Sequence, residues 1–294
     1  RVDSLGELLG HDAAGDERGV IGMRTLYLDL LEASLCGMLS SDPNIDRWGA
    51  HTFDKDKRLL GRDWPKAACT MIGAARMRNV RTLVERLIED GVHGDLLEAG
   101  VWRGGACVYM KGILLAHGQS NRKVWLADSF SGLPVPDSEK YPADIADQHH
   151  EYAELSVTAE DVRRNFEAYG LMDDHVKFLE GWFKDTLTTA PVEELAMLRL
   201  DGDMYGSTME TLEALYHKVV LGGFIVVDDY ILPPCRMAVT DFRTRMGIVD
   251  AIEEVDGAAV YWRKTSKGGK SARVSDGRSR RLKTRREPTG SRAS

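Results

Sequence analysis

Four aspartates stand directly after two short apolar runs of the chain. One run is followed by Asp201 and Asp203, and the other by Asp228 and Asp229. Such runs are typical of buried parallel strands, whose carboxyl ends meet at the edge of the sheet where ligands bind. Carboxylates gathered there repel one another unless protons or a cation neutralise them. Hard oxygen donors at this density favour Mg²⁺ or a similar divalent ion, although helix-capping acids and solvated loop acids would give the same pattern.

A glycine-rich turn precedes these runs. The segment 94–105 reads as a short strand carrying an acid, Glu98, followed by a turn that leads into an apolar helix. Glycines in such a turn let backbone N–H groups approach a ligand closely. The turn lacks the Gly-Lys-Ser/Thr ending of a phosphate loop and the full three-glycine spacing of a dinucleotide fingerprint. It therefore predicts a ligand without pyrophosphate.

A second acid, Asp128, ends the next predicted strand. An acid at this position is well placed to hydrogen-bond the hydroxyls of a ribose. A nucleoside without pyrophosphate, with Glu98 facing a positively charged portion of it, indicates S-adenosylmethionine. The alternative is that Glu98 and Asp128 are ordinary caps at strand ends.

The chain resembles the macrocin O-methyltransferase family. The resemblance runs from about Asp63 to Arg263 and rests on five segments in the family's order: Glu98–Gly105, Ala127–Pro134, Gly181–Leu187, Leu200–Thr208 and Val227–Tyr230. Members of this family are bacterial, divalent-metal-dependent enzymes that methylate sugar hydroxyls on antibiotic glycosides. The resemblance therefore implies an O-methyltransferase that uses S-adenosylmethionine and Mg²⁺ or a similar cation, with a Rossmann-like class I methyltransferase fold.

The resemblance also implies roles for individual residues. It assigns Asp201, Asp228 and Asp229 to the metal and Asp203 to the general base, where some relatives use a histidine. Two vicinal hydroxyls of a sugar could chelate the ion, which favours a rhamnose-like deoxysugar. The residues expected to bind the cofactor are Thr70, Met71, Glu98, Gly100, Val101, Gly104, Gly105, Asp128, Ser129, Gly181, Trp182 and Asp201.

Strand-like and helix-like segments alternate along the body of the chain. This alternation predicts an α/β fold in which a mostly parallel sheet is covered by helices on both faces, with an N-terminal helical lid. The predicted strands are 94–100, 123–129, 176–181, 196–201 and 223–229, with 260–263 as a final edge strand paired with residues near 252–255. The predicted helices are 25–39, 67–89, 106–117, 159–169, 208–220 and 235–246.

Three regions are expected along the chain. They are an N-terminal helical or lid segment over 1–62, the methyltransferase domain over 63–263 and a basic tail over 264–294. Within the domain, the stretch 131–157 interrupts the alternation with three prolines and many acids. A loop of this length favours a functional role, here a lid over the substrate. Its adjacent histidines, His149 and His150, could act as a base or a metal ligand, but adjacent side chains point in different directions, so a solvated loop is the preferred interpretation.

The charge along the chain is uneven. From Arg263 onward the sequence holds twelve Lys and Arg but only two acids, whereas the whole chain has a formal net charge of −7. A tail rich in Gly, Ser and Arg without apolar periodicity is typical of disorder. Basic tails can bind nucleic acid. This one has no interleaved aromatic residues, so a solvated and dispensable tail is the preferred interpretation.

Cysteine usage and hydropathy indicate a cytoplasmic protein. The four cysteines are scattered without a Cys-x-x-Cys pair, which argues against a zinc site or a disulfide framework. No apolar run approaches the ~20 residues that cross a bilayer, and no signal peptide is visible. The expected partners are a glycosylated small-molecule substrate and further copies of the chain in a homo-oligomer, with no role for a membrane or nucleic acid.

Two alternative functions belong to other classes. A catechol-type, metal-dependent O-methyltransferase acting on a small aromatic diol would share both the fold and the acidic cluster. The Trp-Arg-Gly-Gly motif at 102–105 and the long loop favour the sugar enzyme instead. A nucleic-acid-binding module would rely on the basic tail and would not need four clustered acids.

Overall fold

A single twisted sheet organises the protein. The computed structural model describes residues 13–46 and 49–266. Within them, the first five strands run parallel, and the last pairs antiparallel with both of its neighbours. The strands are β1 (Asp95–Ala99), β2 (Val124–Asp128), β3 (Val176–Glu180), β4 (Leu195–Leu200), β5 (Val219–Val227), β6 (Glu253–Glu254) and β7 (Val260–Arg263). Their order, β3-β2-β1-β4-β5-β7-β6, confirms the predicted α/β class with a mostly parallel sheet.

Helices cover both faces of the sheet, as the alternation predicts. They are α1 (Ala13–Leu35), α2 (Lys55–Leu59), α3 (Gly73–Glu89), α4 (Gly105–Ala116), α5 (Ala159–Ala168), α6 (Phe183–Thr186), α7 (Tyr205–Leu215) and α8 (Pro233–Met246). Helices α1, α3, α4 and α5 bury their apolar residues in one core layer, and α7 and α8 bury theirs in the other. Strand β1 feeds both layers, because neighbouring side chains of a strand point to opposite faces. Leu96 accordingly packs in the first layer and Leu97 in the second.

The N-terminal segment is built into the same core as the rest of the chain. Leu28 and Leu35 of α1 are fully buried in the layer that α3 and α4 share. Behind α1, the buried guanidinium of Arg58 donates to both carboxylate oxygens of Asp63 at 2.8 and 2.9 Å and to the carbonyl of Cys36 at 2.9 Å. Separating the segment before residue 62 from the domain after it would break this buried ion pair and leave a charge without a partner. The contact therefore stabilises the attachment of the N-terminal segment.

Residues 67–72 form a loop and not the first turns of a helix. The predicted helix over 67–89 begins at Gly73, which has a left-handed φ of 80°. The carboxylate of Asp42 accepts hydrogen bonds from the backbone N–H groups of Ala67 and Ala68, both at 2.8 Å. A side chain distant in sequence thus holds these N–H groups in an extended loop. Elsewhere, α1 starts before its predicted range and α7 three residues earlier than predicted.

Strand β7 is interior, and the prediction of an edge strand at 260–263 was wrong. Its residues pair with β5 on one side and with the two-residue strand β6 on the other. The predicted pairing with residues near 252–255 is confirmed, because the two exposed glutamates of β6 lie within that range and pair with β7. The long stretch 131–157 also has more local structure than a plain loop, with one-turn 3₁₀ helices at Pro142–Asp144, His149–Glu151 and Ala153–Leu155.

All four cysteines are unpaired and buried, at Cys36, Cys69, Cys107 and Cys235. Burial raises the pKa of the Cys36 thiol to about 12. Among the described residues, no helix combines the length and the apolar character that crossing a membrane would require. The predicted basic tail beyond Ser266 and the first twelve residues of the predicted N-terminal segment lie outside the described residues.

Candidate active site

A cavity of about 800 Å³ lies at the carboxyl ends of the central strands. Residues from the ends of β1, β2, β4 and β5 line it, together with the loop before α3 and the stretch 131–157. This is the position at which open α/β sheets bind ligands, and the volume is in the upper part of the range for small-molecule sites. The acids that the sequence singled out all lie on its wall.

The turn after β1 lies against the end of β4. Gly100 has a φ of 89°, and a Cβ placed on it would lie 1.7 Å from the carbonyl oxygen of Asp201. Any side chain at position 100 would therefore collide with the backbone of β4. Glycine is required here by close backbone approach, as well as by the left-handed conformation.

Asp128 ties this turn to the loop after β2. One carboxylate oxygen accepts the backbone N–H of Val101 at 2.8 Å, and the other accepts that of Phe130 at 2.8 Å. Burial raises the pKa of the Asp128 carboxyl, while these hydrogen bonds lower it. The carboxylate thus shapes two loops of the cavity wall and retains lone pairs for a ligand.

Glu98 is bonded to protein groups on both oxygens. The guanidinium of Arg199 donates to Oε1, and the thiol of Cys107 donates to Oε2 at 2.8 Å. Burial, the largest cause, raises the pKa of Glu98 to about 7 against the lowering effect of Arg199. Glu98 lines the cavity, so a cationic ligand group would share this carboxylate with Arg199.

Arg199 joins the ends of three neighbouring strands. Its side chain, 1% exposed, donates to Glu98 of β1, to Asp201 at 2.8 Å and to Asp228 beyond β5. On the other side, Arg76 of α3 contacts Asp228 and donates to Asp256 at 2.8 Å. Neither arginine was predicted from the sequence. The available signal for Arg199 was one basic residue inside the otherwise apolar run of β4.

Asp201, Asp228 and Asp229 could hold a metal ion. Each offers a carboxylate oxygen, and these oxygens lie within 4.8 Å of one another. Burial, followed by the charges of neighbouring aspartates, raises the pKa of Asp229 well above its usual range. Among the described residues no arginine contacts Asp229, so two arginines leave a surplus of negative charge at the cluster. An all-oxygen donor set with uncompensated charge fits a hard divalent cation.

Asp203 lies beside this cluster in a left-handed conformation. Its φ is 56°, and its backbone N–H donates to Oδ2 of Asp229 at 3.0 Å. Asp tolerates this conformation better than most residues, but a non-glycine residue held there is characteristic of functional sites. Burial raises the pKa of Asp203 to about 7, and the positive charge of His149 opposes that rise.

The structure brings most of the predicted cofactor residues to one cavity. Thr70, Met71, Glu98, Gly100, Val101, Asp128, Ser129, Trp182 and Asp201 line it. Gly104, Gly105 and Gly181 lie off its wall. Gly105 instead allows close packing of α4, since a Cβ there would lie 2.5 Å from the carbonyl oxygen of Cys69.

His149 is partly buried on the cavity wall with its side chain 30% exposed, and His150 is partly buried as well at 24%, so neither is the fully solvated histidine that was expected. The Nδ1 of His149 lies 2.6 Å from the carboxylate of Asp147, which also accepts its backbone N–H at 2.9 Å. The hydrogen bond to Asp147 is the main cause that raises the pKa of His149, and the charge of Asp203 adds to it. The spacing Asp-x-His within a long acidic loop was the signal that could have indicated this pair.

Known proteins with this sequence pattern are O-methyltransferases. The sequence profile of the family described as Macrocin-O-methyltransferase (TylF) matches residues 25–264. An enzyme of Streptomyces olivaceus, 8-demethyl-8-(2,3-dimethoxy-alpha-L-rhamnosyl)-tetracenomycin-C 4'-O-methyltransferase, is 48% identical over 255 residues, which cover 84% of this chain and 96% of that enzyme. Mycinamicin III 3''-O-methyltransferase of Micromonospora griseorubida is 46% identical over 246 residues, 82% of this chain and 97% of the enzyme.

Solved structures agree with the sequence comparison. The structure of the O-methyltransferase NovP matches with a TM-score of 0.76 at 46% identity, covering 83% of this chain and all of that one. The calicheamicin methyltransferase CalS11 matches with a TM-score of 0.54 at 17% identity, which supports the class I methyltransferase fold alone. The profile spans most of the chain and the relatives share nearly half of its residues. The chain therefore belongs to the macrocin O-methyltransferase family of S-adenosylmethionine-dependent transferases.

Proposed function

We propose that this O-methyltransferase methylates a hydroxyl of a rhamnose-like deoxysugar on a glycosylated natural product, assisted by Mg²⁺ or a similar divalent cation. The observation that carries the proposal is the triad Asp201, Asp228 and Asp229, with ligand oxygens within 4.8 Å of one another on the cavity wall that also holds Asp128 and Asp203. The names of two relatives support a sugar as the acceptor, one through a rhamnosyl 4'-O-methylation and one through a 3''-O-methylation.

The chain's own residues supply three parts of the reaction. When bound, S-adenosylmethionine supplies an electrophilic methyl group, and the divalent cation acidifies and orients a sugar hydroxyl. Asp203 accepts the hydroxyl proton as general base. Arg199 donates to Asp201 and Asp228 and so holds both carboxylate groups in place at the ends of their strands. The turn at Gly100 and the carboxylate of Asp128 shape the wall against which the nucleoside rests.

A panel of acceptors tests the substrate class. Metal-loaded protein is incubated with labelled S-adenosylmethionine and a rhamnosylated natural product, its matched aglycone, or a simple catechol. Label is expected in the glycoside alone, located on the sugar by fragmentation in mass spectrometry, and EDTA is expected to abolish it. Label on the catechol in preference to the glycoside would replace the sugar with an aromatic diol as the substrate.

Replacement of Asp128 by Ala is expected to weaken S-adenosylmethionine binding by about 1–3 kcal/mol, roughly 5- to 150-fold, because a buried hydrogen-bonding carboxylate is lost. Isothermal titration calorimetry on the folded variant measures this. Asp95→Ala is the matched control. Asp95 also accepts two hydrogen bonds from the β2 region, from Lys123 N and Trp125 Nε1 at 2.9 Å each, but it lies off the cavity. Equal affinities for Asp128→Ala and wild type would remove Asp128 from the cofactor site.

We also infer a cytoplasmic homo-oligomer. Four unpaired cysteines suit a reducing compartment. On α1, the side chains of Met23, Leu26 and Leu30 are more than half exposed, an apolar stripe that a second copy of the chain would cover. Light scattering on the purified protein gives its mass in solution, and a monomer at micromolar concentration would contradict the inference.

A further inference from the structure

The stretch 131–157, here called the lid segment, closes one side of the cavity, and its most buried acid is Asp144. This side chain is 1% exposed although it lies in a one-turn helix of a long connection. Its Oδ1 accepts the backbone N–H of Tyr205 at 2.7 Å, and its Oδ2 accepts that of Gly206 at 2.8 Å. Tyr205 and Gly206 are the first two residues of α7.

Asp144 therefore caps a helix that lacks a cap of its own. The residue at the N-cap position of α7, Met204, makes no side-chain hydrogen bond to the helix. The first N–H groups of a helix have no partner within it, and a carboxylate placed there is further stabilised by the helix dipole. The lid segment thus supplies the side-chain cap of α7 from 61 residues away, because the residue at the N-cap position does not.

A second set of contacts joins the same two elements. The hydroxyl of Tyr141 donates to Glu210 at 3.0 Å, and the ammonium of Lys140 donates to the same oxygen at 3.2 Å. The ring of Tyr141 lies 5.9 Å from that of Tyr205, measured between centroids. The lid segment therefore contacts α7 through the buried hydrogen bonds of Asp144 and through the more exposed contacts of Lys140 and Tyr141 with Glu210.

The attachment also fixes the position of His149. The backbone N–H of Asp147 donates to the carbonyl of Asp144 at 2.9 Å, and Asp147 in turn holds His149 through two hydrogen bonds. On the opposite side, Asp203 comes just before the capped end of α7. One cap therefore sets the separation between the lid residue His149 and Asp203, which line the same cavity.

We propose that Asp144 is a positioning residue that latches the lid segment onto α7 and so places His149 on the cavity wall shared with Asp203. The identity of the acceptor in this role rests on the proposed function. Opening of the latch exposes the acceptor site to water and separates the two walls, which raises the KM for the acceptor and lowers kcat, as lid movements do in other enzymes.

Two substitutions are expected to open the latch, one in the lid segment and one in helix α7. Asp144→Asn keeps the side-chain volume but removes the charge and turns an amide N–H₂ toward backbone donors. Gly206→Ala leaves Asp144 intact, but the new Cβ would lie 2.5 Å from a ring carbon of Tyr141 and so pushes the lid segment away. Alanine also favours α-helix over glycine, which offsets part of the stabilisation that α7 loses when the Asp144 cap moves away.

Trypsin reports the latch without any substrate. Lys140 is the sole Lys or Arg between Lys123 and Arg163, so cleavage after it produces fragments that identify the lid segment. Asp144→Asn and Gly206→Ala are each expected to accelerate this cleavage about 10- to 100-fold, as expected when charge-assisted hydrogen bonds or close packing are lost. Asp161→Asn is the matched control, because Asp161 is a carboxylate at the start of α5, where it accepts the backbone N–H of Thr158 at 3.3 Å, away from the cavity.

Faster cleavage and a raised acceptor KM are expected in both latch variants, with wild-type behaviour in Asp161→Asn and with an acceleration larger than the fall in melting temperature accounts for. Wild-type cleavage rates in both latch variants would overturn it. Acceleration that follows the melting temperature across all three variants would also overturn it, by making Asp144 a general stabilising residue. Because cleavage is measured without acceptor, failure of the sugar substrate in the panel leaves this test intact.

Discussion

Asparagine at position 203 is expected to slow methyl transfer by about 10²–10⁴-fold while metal affinity stays close to that of the wild type. Asn removes the proton-accepting charge but tolerates the left-handed backbone that Asp203 adopts, so the variant should fold normally. Initial rates measured against Mg²⁺ concentration separate the two quantities. The maximum rate should fall, and the half-saturating Mg²⁺ concentration should not change.

The ligand aspartates provide the contrasting case. Asp228→Asn and Asp229→Asn each retain one oxygen donor, so the weakened site should fill at higher Mg²⁺ concentration and part of the activity should return. Rescue of Asp203→Asn by Mg²⁺ would place that residue among the ligands instead. Full activity of wild-type protein after complete removal of metal by EDTA would refute the metal-assisted mechanism outright.

Replacement of Arg199 by Met is expected to lower the free energy of unfolding by about 3–5 kcal/mol. The change removes the shared cation from the buried carboxylates of Glu98 and Asp228 and from the partly exposed one of Asp201, and an uncompensated buried charge is strongly destabilising. Urea unfolding followed by circular dichroism measures the loss. Arg245→Met is the matched control, since Arg245 pairs with Glu213 at 2.7 Å where both side chains are about half exposed. Exposed pairs of this kind contribute no more than about 1 kcal/mol.

The loss in Arg199→Met should depend on pH in a fixed direction. Burial already raises the pKa of Glu98 to about 7 with Arg199 present, and removal of the cation raises it further. A carboxyl group whose pKa is higher in the folded state than in the unfolded state binds protons on folding, so stability increases as pH falls. The deficit of the variant should be largest above pH 7 and shrink as the pH is lowered toward the ordinary pKa of 4.5. A deficit that is constant with pH would show that packing, and not charge, accounts for the loss.

The four aspartates were predictable because two of them follow each of two strands directly, and parallel strands bring their carboxyl ends together whatever the detailed packing. Arg199 was not, because its partners come from three strands and Glu98 lies 101 residues away. The role of Asp144 was not predictable for the same reason, because the helix that it caps lies 61 residues further along the chain. The loop at 67–72 shows the reverse effect, in which Asp42 takes over N–H groups that local propensity assigns to a helix.

The four buried cysteines can report local opening of the protein through their reactivity, without an added label. Thiol reagents modify the exposed thiolate, and these thiols are shielded from solvent with pKa values raised by burial. Each samples a different region: Cys36 just beyond α1, Cys69 on the cavity wall, Cys107 in α4 and Cys235 in α8. Labelling with a thiol reagent, followed by mass spectrometry of the peptides, would therefore show which region of the molecule opens first. A ligand that fills the cavity should slow the labelling of Cys69.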